Sequence, residues 1–364
     1  MFKYIISILL FNLVYQKSDV YFTKEIASSK IVELYKKLNV NLKGRIGLKV
    51  HTGEEGGPYF LRPDFLQDIY NYTNGTFIET NTAYNGSRYT TERHRETLKI
   101  NGWLDKGRHT VIMDEDPTQD IQLNLTKYEK ISKNYVGKHI EDFDSIIVLA
   151  HFKGHSVGGF GGALKQLSIG FASKFGKKWI HYAGKINDTT TNEKNDEQED
   201  FTASMADAAT SVVNYFKDKG GDIVYINTMV NISLRCDCAG KNAPEPKIKD
   251  IGILASTDPV AIDKACLDLI KKCNDNGKKA WLEQLERLKG ENTITIAEKN
   301  GIGSQEYNLI DIDVPENKGA KTTIIIIISI ACFISLCIAV ALIIYIKEKN
   351  KNTDFTLEEN LNDE

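Results

Sequence analysis

Six short apolar runs punctuate the chain, and they restrict its fold more than any other feature. They are "RIGLKVH" at 45–51, "TFIET" at 76–80, "TVIMD" at 110–114, "SIIVLAH" at 145–151, "DIVYINTMVNIS" at 222–233 and "DIGILAS" at 250–256. Stretches with helical spacing separate them, at 90–103, 161–174, 201–218 and 258–273, with a further helix starting near Pro63 and a first one at 19–38. Strands apolar on both faces that alternate with helices predict an α/β domain whose mainly parallel sheet is flanked by helices. A hydrophobic share of 41% and a charged share of 26% are those of a folded globular chain.

Two apolar segments bracket this domain. Residues 324–346 run for 23 residues without a charge, enough for a helix to cross a bilayer core, and "KEKNK" follows at once. Lysines beside a span mark the cytoplasmic side, so the tail 347–364 is expected in the cytosol. The start, "MFKYIISILLFNLVYQ", has an early lysine and a short apolar run, which suits a signal peptide over 1–17. The expected organisation is a lumenal or extracellular domain over 18–312, a stalk over 313–323 and one transmembrane helix. That makes a single-pass type I protein of the plasma membrane or a secretory-pathway compartment. Glycosylation acceptors N-x-S/T at Asn71, Asn74, Asn85, Asn124 and Asn187 agree with that side of the membrane, while a sixth at Asn231 lies in an apolar run and is expected to stay bare. The net charge of −3 matches the tail's own excess of acidic residues. With no basic stripe and no interleaved aromatics, nucleic acid is not an expected partner.

Polar groups gather where the predicted strands end: His51 after the first, Asp114 after the third, "HFKGH" after the fourth, "RCDC" after the fifth and "STDP" after the sixth. Open α/β sheets bind ligands outside the carboxyl ends of their strands. In "HFKGHSVGGFGGALKQL", 151–167, Gly158, Gly159, Gly161 and Gly162 lead into a helix, an arrangement that favours a small anion or else serves only tight strand–helix packing. The segment fits neither the phosphate-binding loop of nucleotide hydrolases nor G-x-G-x-x-G. Lys153 and Lys165 offer charge to such an anion. Cys236 and Cys238, with His151 or His155, are candidate ligands for a metal ion. The alternative is a pair of disulfides to Cys266 and Cys273. Asp258 reads as the cap of the helix that follows it, and Asp263 lies one turn further on.

Several segments together, "GLKVHTGE", "LRPDFL", "NTAYNGSR", "HFKGHSVGGFGGALKQLSIGFASKFGK", "CDCAG", "DIGILASTDPVAIDKACLDLI" and "GIGSQEYNLI", resemble the domain of unknown function 362 family over about residues 43–312. The resemblance implies an α/β domain associated with redox or metal proteins, often joined to a ferredoxin-type module. The matching polar positions are Lys49, His51, Arg88, His94, His151, Lys153, His155, Lys165, Cys236, Asp237, Cys238, Asp258 and Asp263. Members with the ferredoxin module carry cysteine repeats after the position of His181. Here that place holds "NDTTTNEKNDEQED", so a four-iron cluster is not expected. Two functions follow: a domain that takes a small anionic ligand and a metal ion, or a non-catalytic surface or adhesion protein stabilised by disulfides.

Overall fold

The computed structural model describes residues 17–186, 197–235, 237–315 and 338, and for 237–239 the backbone alone. The signal peptide expected at 1–17 lies outside them except for Lys17. So does the transmembrane helix expected at 324–346, apart from Ile338, and the tail. Among the described residues no helix is long and apolar enough to cross a membrane. The chain divides into two units, Met1–Asp313 and Val314–Glu364. The first holds the whole α/β fold.

Twelve strands are numbered in chain order: β1 Ser18–Thr23, β2 Ile46–Lys49, β3 Thr76–Glu79, β4 Thr110–Ile112, β5 Ile121–Asn124, β6 Lys133–Val136, β7 Ser145–His151, β8 Lys153–His155, β9 Gly159–Gly161, β10 Ile223–Met229, β11 Gly252–Ser256 and β12 Tyr307–Asp311. The helices are α1 Ser28–Lys37, α2 Gln67–Thr73, α3 Thr91–Ile100, α4 Ala163–Leu167, α5 Lys174–His181, α6 Gln198–Asp218, α7 Pro259–Lys272, α8 Lys278–Arg287 and α9 Gly290–Asn300.

Eight strands form one sheet in the order β12-β1-β11-β10-β7-β2-β3-β4. Every neighbouring pair is parallel except the two made by β11, which runs antiparallel to both β1 and β10. The mainly parallel α/β sheet flanked by helices is therefore present, with one reversed strand inside it. Short hairpins β5-β6 and β8-β9 lie outside the sheet. β7 is buried along its whole length and separates two cores. Ile146, Val148 and Ala150 join residues of α4, α6 and α7 on one face, whereas Ile147 and Leu149 join Leu34, Ile69, Leu98 and Trp103 on the other. This two-sided burial is why the central strands read as continuous apolar runs rather than alternating ones.

Local chemistry sets the helix boundaries. Thr90 caps α3 by accepting from Arg93 N, Ser173 caps α5 by accepting from Gly176 N, and Asp258 caps α7 with Pro259 behind it. The helix expected over 19–38 begins only at Ser28, because Ser18–Thr23 is a strand paired on both sides. The helix expected over 161–174 is broken: α4 stops at Leu167, Gly170 N bonds back to Lys165 O, and α5 starts afresh at Lys174.

Candidate functional site

The chain passes from β2 outward to β3 and β4, then returns to β7 on the other side of β2 and moves outward to β10. The two directions part between β2 and β7, and crevices form at the carboxyl ends of such a pair. A cavity of about 350 Å³ opens there, with His51 just past β2, Glu79 and Thr80 at the end of β3 and His151 at the end of β7. The β8-β9 hairpin adds Lys153, His155 and Gly161. Helices α4, α5 and α6 add Lys165, Lys177, His181 and Phe201.

Glu79 organises the floor. Its Oε1 accepts from Lys49 Nζ at 2.8 Å and from Thr80 N at 3.0 Å, and its Oε2 accepts from Thr52 N at 3.1 Å and Arg88 NH1 at 3.3 Å. His51 Nδ1 stands 3.5 Å from the same oxygen. Burial alone would raise this carboxyl, yet Lys49, His51 and Arg88 hold it well below the usual carboxylate range. Arg88 is fixed from its other side by Glu54, 2.8 Å away. Burial and the neighbouring Arg88 and Lys153 lower His51 to about 3, and burial with Lys165 and Lys177 lowers His181 to about 4. Burial lowers both Lys165 and Lys177 to about 8. The rings are thus neutral near pH 7. Burial, with Lys165 and Arg88 nearby, also holds Lys153 well below the usual lysine range, so the positive charge of the cavity rests on Arg88, Lys165 and Lys177, against the single carboxylate Glu79 among its described lining residues.

Of the residues expected to bind a ligand, the cavity brings together His51, Arg88, Lys153, Gly161, Gly162 and Lys165, along with His151 and His155 from the expected metal set. Lys49 lies beneath it, bonded to Glu79 and to Gln166 Oε1 at 3.1 Å. His94 is buried away from the cavity, between Asn81 Oδ1 at 3.1 Å and Thr52 Oγ1 at 3.3 Å. Gly158 and Gly159 do not line it either. Gly159 has φ +79°, and a side chain there would press on Gly290.

Two expectations fail on geometry. Because β11 runs backwards, Asp258 stands at the opposite edge of the sheet. There it caps α7 through Val260 N at 2.8 Å and Ala261 N at 2.9 Å, and it accepts from Ser18 Oγ and Ser304 N. The helix start after the glycines, open to a small anion or to tight packing alone, is occupied by the protein's own carboxylate, which leaves the packing alternative. Asp263 accepts from Ala163 N at 2.8 Å, Leu164 N at 2.9 Å and Asn227 Nδ2 at 2.7 Å. A Cβ on Gly162 would lie 2.3 Å from Asp263 Oδ1, so this glycine serves close packing.

The expected metal set is divided. Cys236 and the side chain of Cys238 lie outside the described residues, and among the described residues no three His, Cys, Asp or Glu groups could hold a metal ion. His155 Nδ1 accepts from Gly158 N at 2.9 Å, which leaves the proton on Nε2 and suits neither nitrogen to a metal. His151 differs: its Nε2 donates to Val230 O at 2.6 Å, the outer bond that metal-ligating rings usually make. Cys266 and Cys273 are free thiols among the described residues, Cys266 wholly buried with Asn227 Nδ2 3.5 Å from its sulfur; their partners in the two-disulfide alternative, Cys236 and the side chain of Cys238, lie outside the described residues.

Reasoning from the sequence missed Glu79, Tyr84, Gln166, Lys177, His181 and Phe201. Glu79 left a signal, an acid inside the apolar run "TFIET". Lys177 and His181 left another, spaced one helical turn apart just past the helix expected over 161–174. Asn71, Asn74, Asn85 and Asn124 are exposed, Asn187 lies outside the described residues, and Asn231 takes φ +47° in the turn just past β10 instead of a strand.

These features define an α/β domain with a cavity at the switch point of its sheet. The chain belongs to the domain of unknown function 362 (DUF362) family, whose model matches residues 46–268. Among solved structures it is similar to the lactate racemase apoprotein from Thermoanaerobacterium thermosaccharolyticum, at 14% identity over 70% of this chain and 58% of that one, with a TM-score of 0.42. It is also similar to a protein from Thermotoga maritima solved by structural genomics, at 13% identity over 78% of this chain and 61% of that one, with a TM-score of 0.37. This chain thus spans about three fifths of the length of each. A search of curated proteins found no match.

Proposed function

We propose that the first unit binds a small anionic ligand in the cavity at the carboxyl ends of β2, β3 and β7, and that the chain presents this domain on the lumenal or extracellular side of a membrane. The observation that carries the binding reading is the cavity's charge. Arg88, Lys165 and Lys177, with the amine of Lys153 beside them, line a space of about 350 Å³ in which Glu79 is the sole carboxylate among the described residues. Apolar Ile169, Val157 and Phe201 complete the wall, so the fitting ligand has a charged end and an apolar body. Membrane anchoring is supported by the uncharged run 324–346 with lysines behind it, and lumenal exposure by the acceptor asparagines.

Titration calorimetry of the full chain in detergent with pyruvate and with inorganic phosphate tests the binding reading. One saturable site is expected, weakened tenfold or more in Lys153→Met. Binding of neither anion, or equal binding by the variant, rejects it. A metal ion at Cys236 and Cys238 with His151 is the second reading, favoured by the bond from His151 Nε2 to the Val230 carbonyl. Metal analysis of protein purified without oxygen decides it. Equal metal content in the wild type and a Cys236→Ala/Cys238→Ala double variant rules it out.

A further inference from the structure

The lysines around the cavity are not equivalent. Lys49 Nζ donates to Glu79 Oε1 at 2.8 Å, Val50 O at 2.6 Å and Gln166 Oε1 at 3.1 Å. Lys177 Nζ donates to Thr80 Oγ1 at 2.5 Å and Ala172 O at 2.6 Å. Both amines are committed to holding the walls. Lys153 sits on the hairpin strand β8 and has interactions of its own. Lys165 lines the same cavity, and its amine makes no hydrogen bond or ion pair among the described residues.

The support for Lys165 is rigid. It lies on the single turn of α4, whose first two N–H groups are fastened by Asp263. Gly161 flanks its stem without crowding it, since even a Cβ at that glycine would stand 3.6 Å from Lys165 Cδ. A fixed backbone, an uncommitted amine and an apolar wall of Ile169 and Phe201 are the surroundings of a nucleophile rather than of a structural cation.

We propose that Lys165 attacks the carbonyl carbon of a small 2-oxo carboxylate or aldehyde carboxylate bound in this cavity and forms an imine with it. The proposal rests on the anion-binding reading above, because the carboxylate end must be held by the cavity's cations while the carbonyl meets the amine. In the step the Lys165 nitrogen forms a bond to the carbonyl carbon and the carbon–oxygen bond breaks. The two amine protons leave with that oxygen as water, and the protonated imine takes one proton from solvent. The neutral rings of His155 and His181 line the same cavity and are placed to relay these protons, with His181 stacked on Phe201 at a ring separation of 4.5 Å. Burial supports the chemistry. A lysine near 8 is about one-tenth neutral at pH 7, whereas an ordinary lysine is neutral in fewer than about one molecule in a thousand.

The test is reductive trapping. The full chain is incubated with pyruvate, and separately with glyoxylate, in the presence of sodium cyanoborohydride, digested and sequenced by mass spectrometry. The expected result is one secondary-amine adduct on Lys165, absent in Lys165→Arg and Lys165→Met. The circular-dichroism spectra of both variants should match the wild type, so that a lost adduct does not reflect a lost fold. Saturable binding without a reducible adduct overturns the imine and leaves the anion site standing. So does an adduct on Lys153 or Lys177, or one scattered over surface lysines. Failure to bind either oxo acid overturns both.

Discussion

At the scale of single residues, Glu79 is the group on which the cavity floor depends. It is 3% exposed and receives Lys49 Nζ, Arg88 NH1 and two backbone N–H groups. Removing one partner of a buried ion pair leaves the other charge without compensation, at a cost of about 3–5 kcal/mol. Glu79→Gln should therefore lower urea stability by about that amount, and an unchanged midpoint would contradict this account. Its native pKa lies below the unfolded value, so the stabilisation is present above the ordinary carboxylate range and fades as pH falls through the native one. The variant should accordingly lose less stability on acidification than the wild type does. Lys165 behaves in the opposite sense. Burial lowers it to about 8, with Glu79 drawing it up and Arg88 and Lys49 pushing it down. Its positive charge is lost as pH rises through that value, so phosphate affinity should fall between roughly pH 7 and 9. In Lys165→Met that part of the pH profile should flatten.

At the scale of elements, the glycine-rich passage into α4 was visible in the sequence and its purpose was not. The glycines allowed either an external anion or tight strand–helix packing, and Asp263, 100 residues later, decides for packing by supplying the negative charge at that helix start. No local pattern reveals a partner so distant. The contrast between adjacent glycines makes this testable. A Cβ at Gly162 would strike Asp263 Oδ1 at 2.3 Å, whereas at Gly161 the nearest atom is 3.6 Å away. Gly162→Ala should cost about 1–3 kcal/mol in chemical denaturation, and Gly161→Ala should be close to neutral. The reversal of β11 was hidden for a related reason. "DIGILAS" is as apolar as its parallel neighbours, and direction is decided by pairing with β1 and β10. That is how Asp258 came to be assigned to the wrong edge. Asp258→Ala should cost about 1 kcal/mol as a lost helix cap, while pyruvate and phosphate binding stay unchanged. The central strands were legible because burial on both faces leaves a continuous apolar signature, and "SIIVLAH" corresponds to β7 from first residue to last. β1 and β12 were not, because β12 is half exposed and both strands mix polar with apolar positions.

At the scale of the whole molecule, the sheet closes with strands from the two ends of the first unit. β1 registers Ser18 against Tyr307 on one side and Val20 against Ser256 on the other. Asp313 completes the closure by accepting from Thr23 Oγ1 at 2.6 Å and Lys24 N at 2.7 Å. A chain stopped after residue 304 should expose β1 as an open edge, melt earlier and aggregate in light scattering, whereas one stopped after 315 should do neither. The same arrangement imposes an order on synthesis. The parallel set β7, β2, β3 and β4 is complete by residue 151 and needs only nearby partners. β1 leaves the ribosome ahead of the other described strands, yet its sheet partners β11 and then β12 emerge more than two hundred residues later. Contacts that close such long loops form slowly, so the earliest strand to be made is among the last to be placed. Throughout that interval an unpaired β edge remains for chaperones to shield.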